Sequence, residues 1–187
     1  DDWFSSILPT ATQYARNAMF SGLLPKDIKK KHPQLWTEEN EEGGKNMHEE
    51  ELLGLQLKRL GFGDRKYSYN KITQLKAGKK LVDQSADLMR NDLNVVVYNF
   101  VDMLSHAKTE MGMIKQLADD DKAYRSLTLS WFRNSPVLDL LKKLSEQDIT
   151  VVITTDHGTI NVTSPVKVVG QKDLNTNLRY KTGRHMS

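Results

Sequence analysis

Two near-continuous apolar runs dominate the hydrophobic pattern of the chain. DLNVVVYNFVD (92–102) and DITVVITTD (148–156) both have strand length and are rich in β-branched residues. Runs of this kind are typical of strands that are buried on both faces of a parallel sheet. YSYNKITQL (67–75) and SPVKVVG (164–170) are weaker strand candidates. The pattern therefore predicts a sheet of several strands.

Apolar positions recur at three- and four-residue spacing in the segments between these strands, and this spacing predicts helices. A first helix is expected between Pro9 and Gly22, with Pro25 following its stop. Further amphipathic helices are predicted over 48–63, 76–90 and 136–147. Strands that alternate with crossover helices indicate an α/β fold, a largely parallel sheet flanked by helices on both faces.

The charged segment 26–51 interrupts this pattern and contains a Gly43-Gly44 pair. It is interpreted as a surface excursion, with a lid as one form it could take, rather than as a domain boundary. Within it, MHEEE (47–51) resembles a metal-binding run. The structural alternative is favoured, because acidic residues at the start of a helix complement the helix dipole.

Composition narrows the possible functions. The chain has 187 residues, of which 38% are hydrophobic, enough for one substantial core. Its 27 basic and 24 acidic residues leave too small an excess to predict nucleic-acid binding. Cysteine is absent, which excludes thiolate metal sites, disulfides and cysteine nucleophiles. No apolar run approaches the roughly 20 residues that span a bilayer, so a cytoplasmic protein with no membrane partner is expected.

Both strong strands end in an aspartate that has a histidine nearby. Asp102 precedes His106 by four residues, a spacing that places both on one face of a helix, and Asp156 is adjacent to His157. Ligands of α/β sheets bind beyond the carboxyl ends of the strands, and this oxygen and nitrogen set suits zinc or manganese. The alternative for either pair is a helix-capping aspartate beside an exposed histidine.

A candidate nucleophile lies in LPTAT (8–12), where Thr10 and Thr12 precede the first predicted helix. A hydroxyl at a helix N-terminus faces free backbone amides and the positive end of the dipole, which favour an alkoxide or a bound phosphate. The alternative is ordinary helix capping by a threonine. The two interpretations are compatible, and the pattern by itself leaves the choice of threonine open.

Five segments together carry a resemblance to a known family. They are ILPTATQYARNAMFSGL, EEGGKNMHEEE, VYNFVDMLSH, TTDHGT and NLRYKTGR, in this order along nearly the whole chain. They resemble the PglZ domain of the alkaline phosphatase superfamily, and most of all the effector domain of PorX-type response regulators. The resemblance implies an alkaline-phosphatase-like α/β fold.

The resemblance also implies roles for individual residues. Thr12 matches the second threonine of the family's nucleophile turn and would touch two zinc ions. Asp102 and His106 would bind one ion, and Asp156 and His157 the other. The family's two outer ligands, an early aspartate and a late histidine, have no fitting counterpart, since Asp1, Asp2 and His185 lie at unsuitable positions. Residues 1–187 are therefore expected to be an incomplete PglZ domain.

Four residues are candidates for substrate binding. Arg16 and Asn17 lie about one helical turn after Thr12, and Arg179 and Lys181 lie in the basic segment NLRYKTGR. Guanidinium groups bind phosphate oxygens at two points, which makes Arg16 a candidate phosphate clamp. The alternatives are a solvated arginine on a polar helix surface and a solvated basic edge.

The function implied by the resemblance is metal-dependent hydrolysis of a phosphoester, with a phosphodiester or nucleotide as substrate. A PorX-like parent would add an upstream receiver domain, homodimerisation, a histidine kinase and a sigma factor as partners, and control of type IX secretion. The alternative is a regulatory protein-interaction module that retains a structural or vestigial metal site.

Overall fold

The computed structural model describes residues 2–39, 41–100, 103–104, 111–118, 120–158, 164 and 166. The helices within these residues are α1 (Thr12–Ser21), α2 (Pro25–Lys31), a 3-10 turn (Pro33–Leu35), α3 (Glu49–Arg59), α4 (Leu75–Asp83), α5 (Ser85–Leu88), α6 (Gly112–Leu117), α7 (Asp121–Arg133) and α8 (Pro136–Ser145). The strands are β1 (Tyr67–Ile72) and β2 (Leu93–Tyr98). The chain divides into two compact units: the first comprises residues 1–64 and 153–187, and the second residues 65–152.

In the first unit, α1 packs against α2 and α3. Helix α1 ends at Gly22, which adopts the left-handed conformation at φ 59° and donates its N–H to the Ala18 carbonyl at 2.8 Å. Glycine reaches this conformation without the steric cost that a Cβ would bring. Both the predicted helix and its stop are confirmed, as is the predicted helix that becomes α3.

Most of the described residues of 26–51 are exposed or partly buried, as expected of a surface excursion, but two of them are buried in the core. Pro25 occupies the first turn of α2, where its missing N–H is not needed for the helix. Ile28 of this helix is fully buried, and so is Glu49 at the start of α3. The segment is therefore anchored to the core at both ends.

The second unit contains a parallel two-stranded sheet. Strands β1 and β2 pair in register from Tyr67 opposite Leu93 to Ile72 opposite Tyr98. Helices α4 and α5 form the crossover that a parallel pair requires. Ile72 and helices α4, α5 and α8 meet in one apolar cluster, whose buried members are Ile72, Leu81, Leu88 and Leu140. The strands predicted over 67–75 and 92–102 are confirmed in shortened form, and the described residues form an α/β arrangement.

The prediction of a buried strand over 148–156 is wrong. Residues 149–155 are in no strand, and the side chains of Val152 and Ile153 are 80% and 79% exposed. An apolar run becomes a buried strand only when a neighbour completes its backbone hydrogen bonds. Within the described residues β2 pairs only with β1.

Other expectations fall largely outside the described residues. The strand predicted over 164–170 is described only at residues 164 and 166.

Among the helices that the structure describes, none combines the length and apolar character that a membrane crossing requires.

Candidate active site

The start of α1 leaves the Thr12 hydroxyl available for chemistry. The capping position is held by Ala11 in an extended conformation, and this residue has no side chain that could cap the helix. Thr12 is the first residue of the helix itself. The N–H groups of a first helical turn have no partners within the helix and point toward its N-terminal end. The hydroxyl of Thr12 therefore lies where a helix presents positive partial charge.

The hydroxyl of Thr12 meets the imidazole of His157 across 145 positions of sequence. Thr12 Oγ1 lies 3.1 Å from His157 Nε2. The other ring nitrogen, Nδ1, lies 3.0 Å from the Gly158 carbonyl oxygen. A carbonyl oxygen can only accept, so Nδ1 carries the proton of this hydrogen bond. In the neutral imidazole, Nε2 then presents its lone pair to the Thr12 hydroxyl, which donates.

Asp156 contributes a carboxylate to the same place. Its Oδ2 lies 3.6 Å from His157 Nε2, and the side chains of His157 and Asp156 are 14% and 18% exposed. The backbone of Asp156 is held by Ser6, whose Oγ donates to the Asp156 carbonyl oxygen at 2.7 Å. The sequence does not single out Ser6, because a serine that bonds a distant backbone carbonyl has no local signature.

Carboxylate oxygen, imidazole nitrogen and threonine hydroxyl are together the chemistry that suits a zinc ligand set. The proton on Nδ1 also fits, since a histidine that ligates through Nε2 usually donates its other N–H to a carbonyl or carboxylate. The described residues contain no group of three or more metal-capable acidic or histidine side chains. Asp102 and His106, the other two predicted ligands, lie outside those residues.

Arg16 and Asn17, the predicted phosphate contacts on α1, are both buried. Arg16 Nη2 donates to Glu49 Oε2 at 2.7 Å, and Asn17 Nδ2 donates to the Lys45 carbonyl oxygen at 3.1 Å. A guanidinium group that faces a buried carboxylate has less positive charge to offer a phosphate. Neither predicted alternative, a solvated arginine or a polar helix surface, matches these contacts. The phosphate contacts themselves stay a prediction.

Two further segments complete the set of candidates. The sequence predicts Glu49 only as an acidic residue at the start of α3, and the structure confirms this position. The ion pair between Glu49 and Arg16 is not predicted from the sequence. Arg179 and Lys181 lie outside the described residues.

Comparisons with known proteins identify the family of the chain. A search of curated proteins found no match. The sequence model of one family, described as the BREX system PglZ alkaline phosphatase-like domain, matches residues 2–187. The matched region contains Thr12, Asp156 and His157. The chain belongs to the PglZ family of alkaline phosphatase-like domains.

Proposed function

We propose that this chain is the catalytic part of a metal-dependent phosphoester hydrolase that acts on phosphodiesters, with Thr12 as its nucleophile. Membership of an alkaline phosphatase-like family supports the reaction class. The observation that carries the assignment of Thr12 is its hydroxyl, 3.1 Å from His157 Nε2 at the start of a helix. Thr10 shares the turn but lies before the helix.

The proposed reaction has two displacements at phosphorus. In the first, the Thr12 oxygen forms a bond to phosphorus and the bond from phosphorus to the leaving oxygen breaks. The threonine hydroxyl gives up one proton to solvent, and the leaving oxygen takes up one proton to depart as an alcohol. The result is a phosphoryl or nucleotidyl ester of Thr12. In the second, water attacks the same phosphorus, the bond to Thr12 breaks, and the threonine hydroxyl is restored.

The chain's own groups support both steps. The backbone amides that begin α1 are suited to hold the non-bridging phosphate oxygens, because a helix N-terminus favours negative charge. In the metal-free chain the lone pair of His157 Nε2 accepts the hydrogen bond of the Thr12 hydroxyl. A zinc ion held by Nε2 would take that lone pair instead, and the Thr12 oxygen would then lie beside the ion. The partial burial of Asp156 and His157 limits the access of bulk water to this place.

Asp156 and His157 are the described residues that would hold a zinc ion, and the family resemblance adds Asp102 and His106. Bound zinc would act as a Lewis acid that lowers the pKa of a nearby hydroxyl and neutralises phosphoryl charge. The PorX-like context, with its receiver domain, partners and type IX secretion, stays a prediction from the resemblance.

The test compares Thr12→Ala with the matched control Thr10→Ala. Hydrolysis of a chromogenic phosphodiester and a chromogenic monoester would be measured in zinc and after chelation. We expect Thr12→Ala to lose at least about 10³-fold in kcat, since no other group forms the covalent ester. Thr10→Ala should retain most of the activity, and the diester should be the better substrate.

Two other outcomes would contradict the assignment of Thr12 as the nucleophile. Activity that is lost only in Thr10→Ala would make Thr10 the nucleophile. Activity that is absent from the wild-type chain, or full in both variants, would favour the regulatory interaction module instead. Thermal melts of both variants check that the fold is intact, which is expected because Thr12 is not the capping residue of α1.

A further inference from the structure

A buried ion pair joins α1 to the beginning of α3. Arg16 Nη2 donates to Glu49 Oε2 at 2.7 Å, and Arg16 Nε lies 2.6 Å from Glu49 Oε1. The two side chains are only 10% and 1% exposed. A buried pair gives little net stability, because the desolvation of both charges offsets most of their attraction. The two contacts between the planar guanidinium and carboxylate groups do, however, fix the orientation of the two side chains relative to each other.

This orientation acts on the helix that carries Thr12. Arg16 follows Thr12 by four residues, so the two side chains lie on one face of α1, one turn apart. Asn17 adds a second restraint through the Lys45 carbonyl oxygen. The far end of the helix is held separately by Arg59, which donates to the carbonyl oxygens of Ser21 and Gly22.

A small rotation of α1 about its axis would separate Thr12 from His157. A side-chain atom lies about 5 Å from the axis of a helix, so a rotation of about 20° moves it by roughly 1.7 Å. The observed distance of 3.1 Å between Thr12 Oγ1 and His157 Nε2 leaves no room for such a shift within a hydrogen bond. Displacements of this size at a reacting group can lower a rate by about 10²-fold.

We infer that Arg16 and Glu49 are positioning residues, whose ion pair sets the rotation of α1 that brings the Thr12 hydroxyl to His157. The catalytic consequence rests on the proposed function of Thr12. The geometric part concerns only the contact between Thr12 and His157, and it holds whether or not the chain hydrolyses phosphoesters.

The main variant is Arg16→Met combined with Glu49→Leu. It removes one positive and one negative charge together and fills the space with apolar side chains, a change that usually preserves or raises stability. We expect kcat on the chromogenic phosphodiester to fall at least about tenfold with KM changed less than about threefold. Arg16→Lys keeps the charge without the planar fork, so its kcat should lie between those of the wild type and the double variant.

Arg59→Met is the matched control, because it removes contacts from the other end of the same helix. Its kcat should stay within about twofold of the wild type, since Arg59 belongs to α3 and contacts the C-terminal end of α1, far from Thr12. A double variant that melts like the wild type and keeps its kcat would overturn the inference. So would an equal loss of kcat in Arg59→Met, because the effect would then reflect the stability of α1 rather than its rotation.

A second readout needs neither metal nor phosphoester. The chain contains no cysteine, so Thr12→Cys introduces a single thiol. An imidazole beside a thiol raises its thiolate fraction and its rate of alkylation. Iodoacetamide would be used at one fixed pH in the presence of a chelator. We expect alkylation of the introduced thiol to slow at least about threefold when His157→Asn is added, and by a similar factor when the Arg16 and Glu49 substitutions are added.

The two readouts separate the inference from the proposed function. Alkylation that slows in His157→Asn but not in the ion-pair variant would overturn the positioning role. Alkylation that is unchanged in both would show that the contact between position 12 and His157 is absent, which also overturns it. A wild-type chain without phosphoesterase activity, whose alkylation after Thr12→Cys still depends on the ion pair, would refute the proposed function and leave the positioning role intact.

Discussion

Gly78 in helix α4 is a position where one methyl group should destabilise the second unit. A Cβ built on Gly78 would lie 2.4 Å from the Tyr98 hydroxyl oxygen and 3.2 Å from Cβ and Cγ of Pro136. The Tyr98 side chain stands on β2 and Pro136 begins α8, so the close approach joins three elements. Gly78→Ala must therefore displace the tyrosine ring or the helix.

The magnitude follows from two opposing terms. Overpacking a core costs about 1–3 kcal/mol, whereas replacing glycine by alanine inside a helix contributes about 1 kcal/mol. We expect Gly78→Ala to lower the free energy of unfolding by about 1 kcal/mol. Tyr98→Phe removes the atom that causes the shortest contact, so Gly78→Ala should be about neutral in that background.

Chemical denaturation of the four proteins of this double-mutant cycle would measure the coupling. Fluorescence of Trp131 suits this assay, because its ring lies 6.3 Å from that of Tyr98 in the same unit. Gly112→Ala is the control, since a Cβ there would meet no atom within 4 Å. A coupling energy below about 0.5 kcal/mol, the usual scatter of additive changes, would refute the steric argument.

Three further predictions concern pH, metal and a helix end. Burial raises the pKa of Tyr98, so the stability that its neutral form contributes is complete below the unfolded pKa of about 10 and is lost as pH rises through the folded pKa. Between about pH 9 and 11 the free energy of unfolding, measured by denaturation, should therefore fall more steeply in the wild type than in Tyr98→Phe. Equal slopes would contradict this. His157→Ala should weaken zinc binding at least about tenfold, measured by calorimetry. The control is His48→Ala, which should leave the zinc affinity unchanged because His48 is exposed and paired with Glu51. Equal zinc affinities of the two variants would show that His157 is not a ligand. Gly22→Ala should lower the melting temperature more than Gly61→Ala. Both glycines have positive φ, but of these two positions only Gly22 has other side chains that a Cβ would meet, at 2.7 and 2.8 Å. An equal decrease in the two variants would mean that backbone strain alone sets the effect.

Local signals explain the parts of the fold that the sequence predicts correctly. Helix α1 has its glycine stop, α3 has its acidic first turn, and β2 has its β-branched run. Each of these features acts within a few residues of its own element. The crossover between β1 and β2 follows from the helical spacing between them, because parallel strands cannot be joined by a tight turn.

The failures involve partners that are distant in sequence. The run over 149–155 has the composition of a buried strand, but composition does not show whether a neighbouring strand will accept it. Likewise, Arg16 and Glu49 are 33 positions apart, and each taken alone has the character of a surface residue.

The candidate site follows the same division between local and distant signals. Asp156 and His157 stand out in the sequence because they follow an apolar run, yet the run is not a strand and the pair still lies beside Thr12. The family resemblance favours Thr12 over Thr10, a choice that local chemistry leaves open. The tautomer of His157 and the support from Ser6 depend on backbone atoms, and only the structure provides these.

The mass of the protein during turnover tests the central claim most directly. The zinc-loaded chain would be mixed with a chromogenic phosphodiester, quenched in acid and measured as intact protein, and the modified peptide would then be sequenced. The account predicts a phosphoryl or nucleotidyl adduct on Thr12 that forms in Thr10→Ala and is absent from Thr12→Ala. An adduct on another residue, or wild-type turnover by Thr12→Ala, would contradict it.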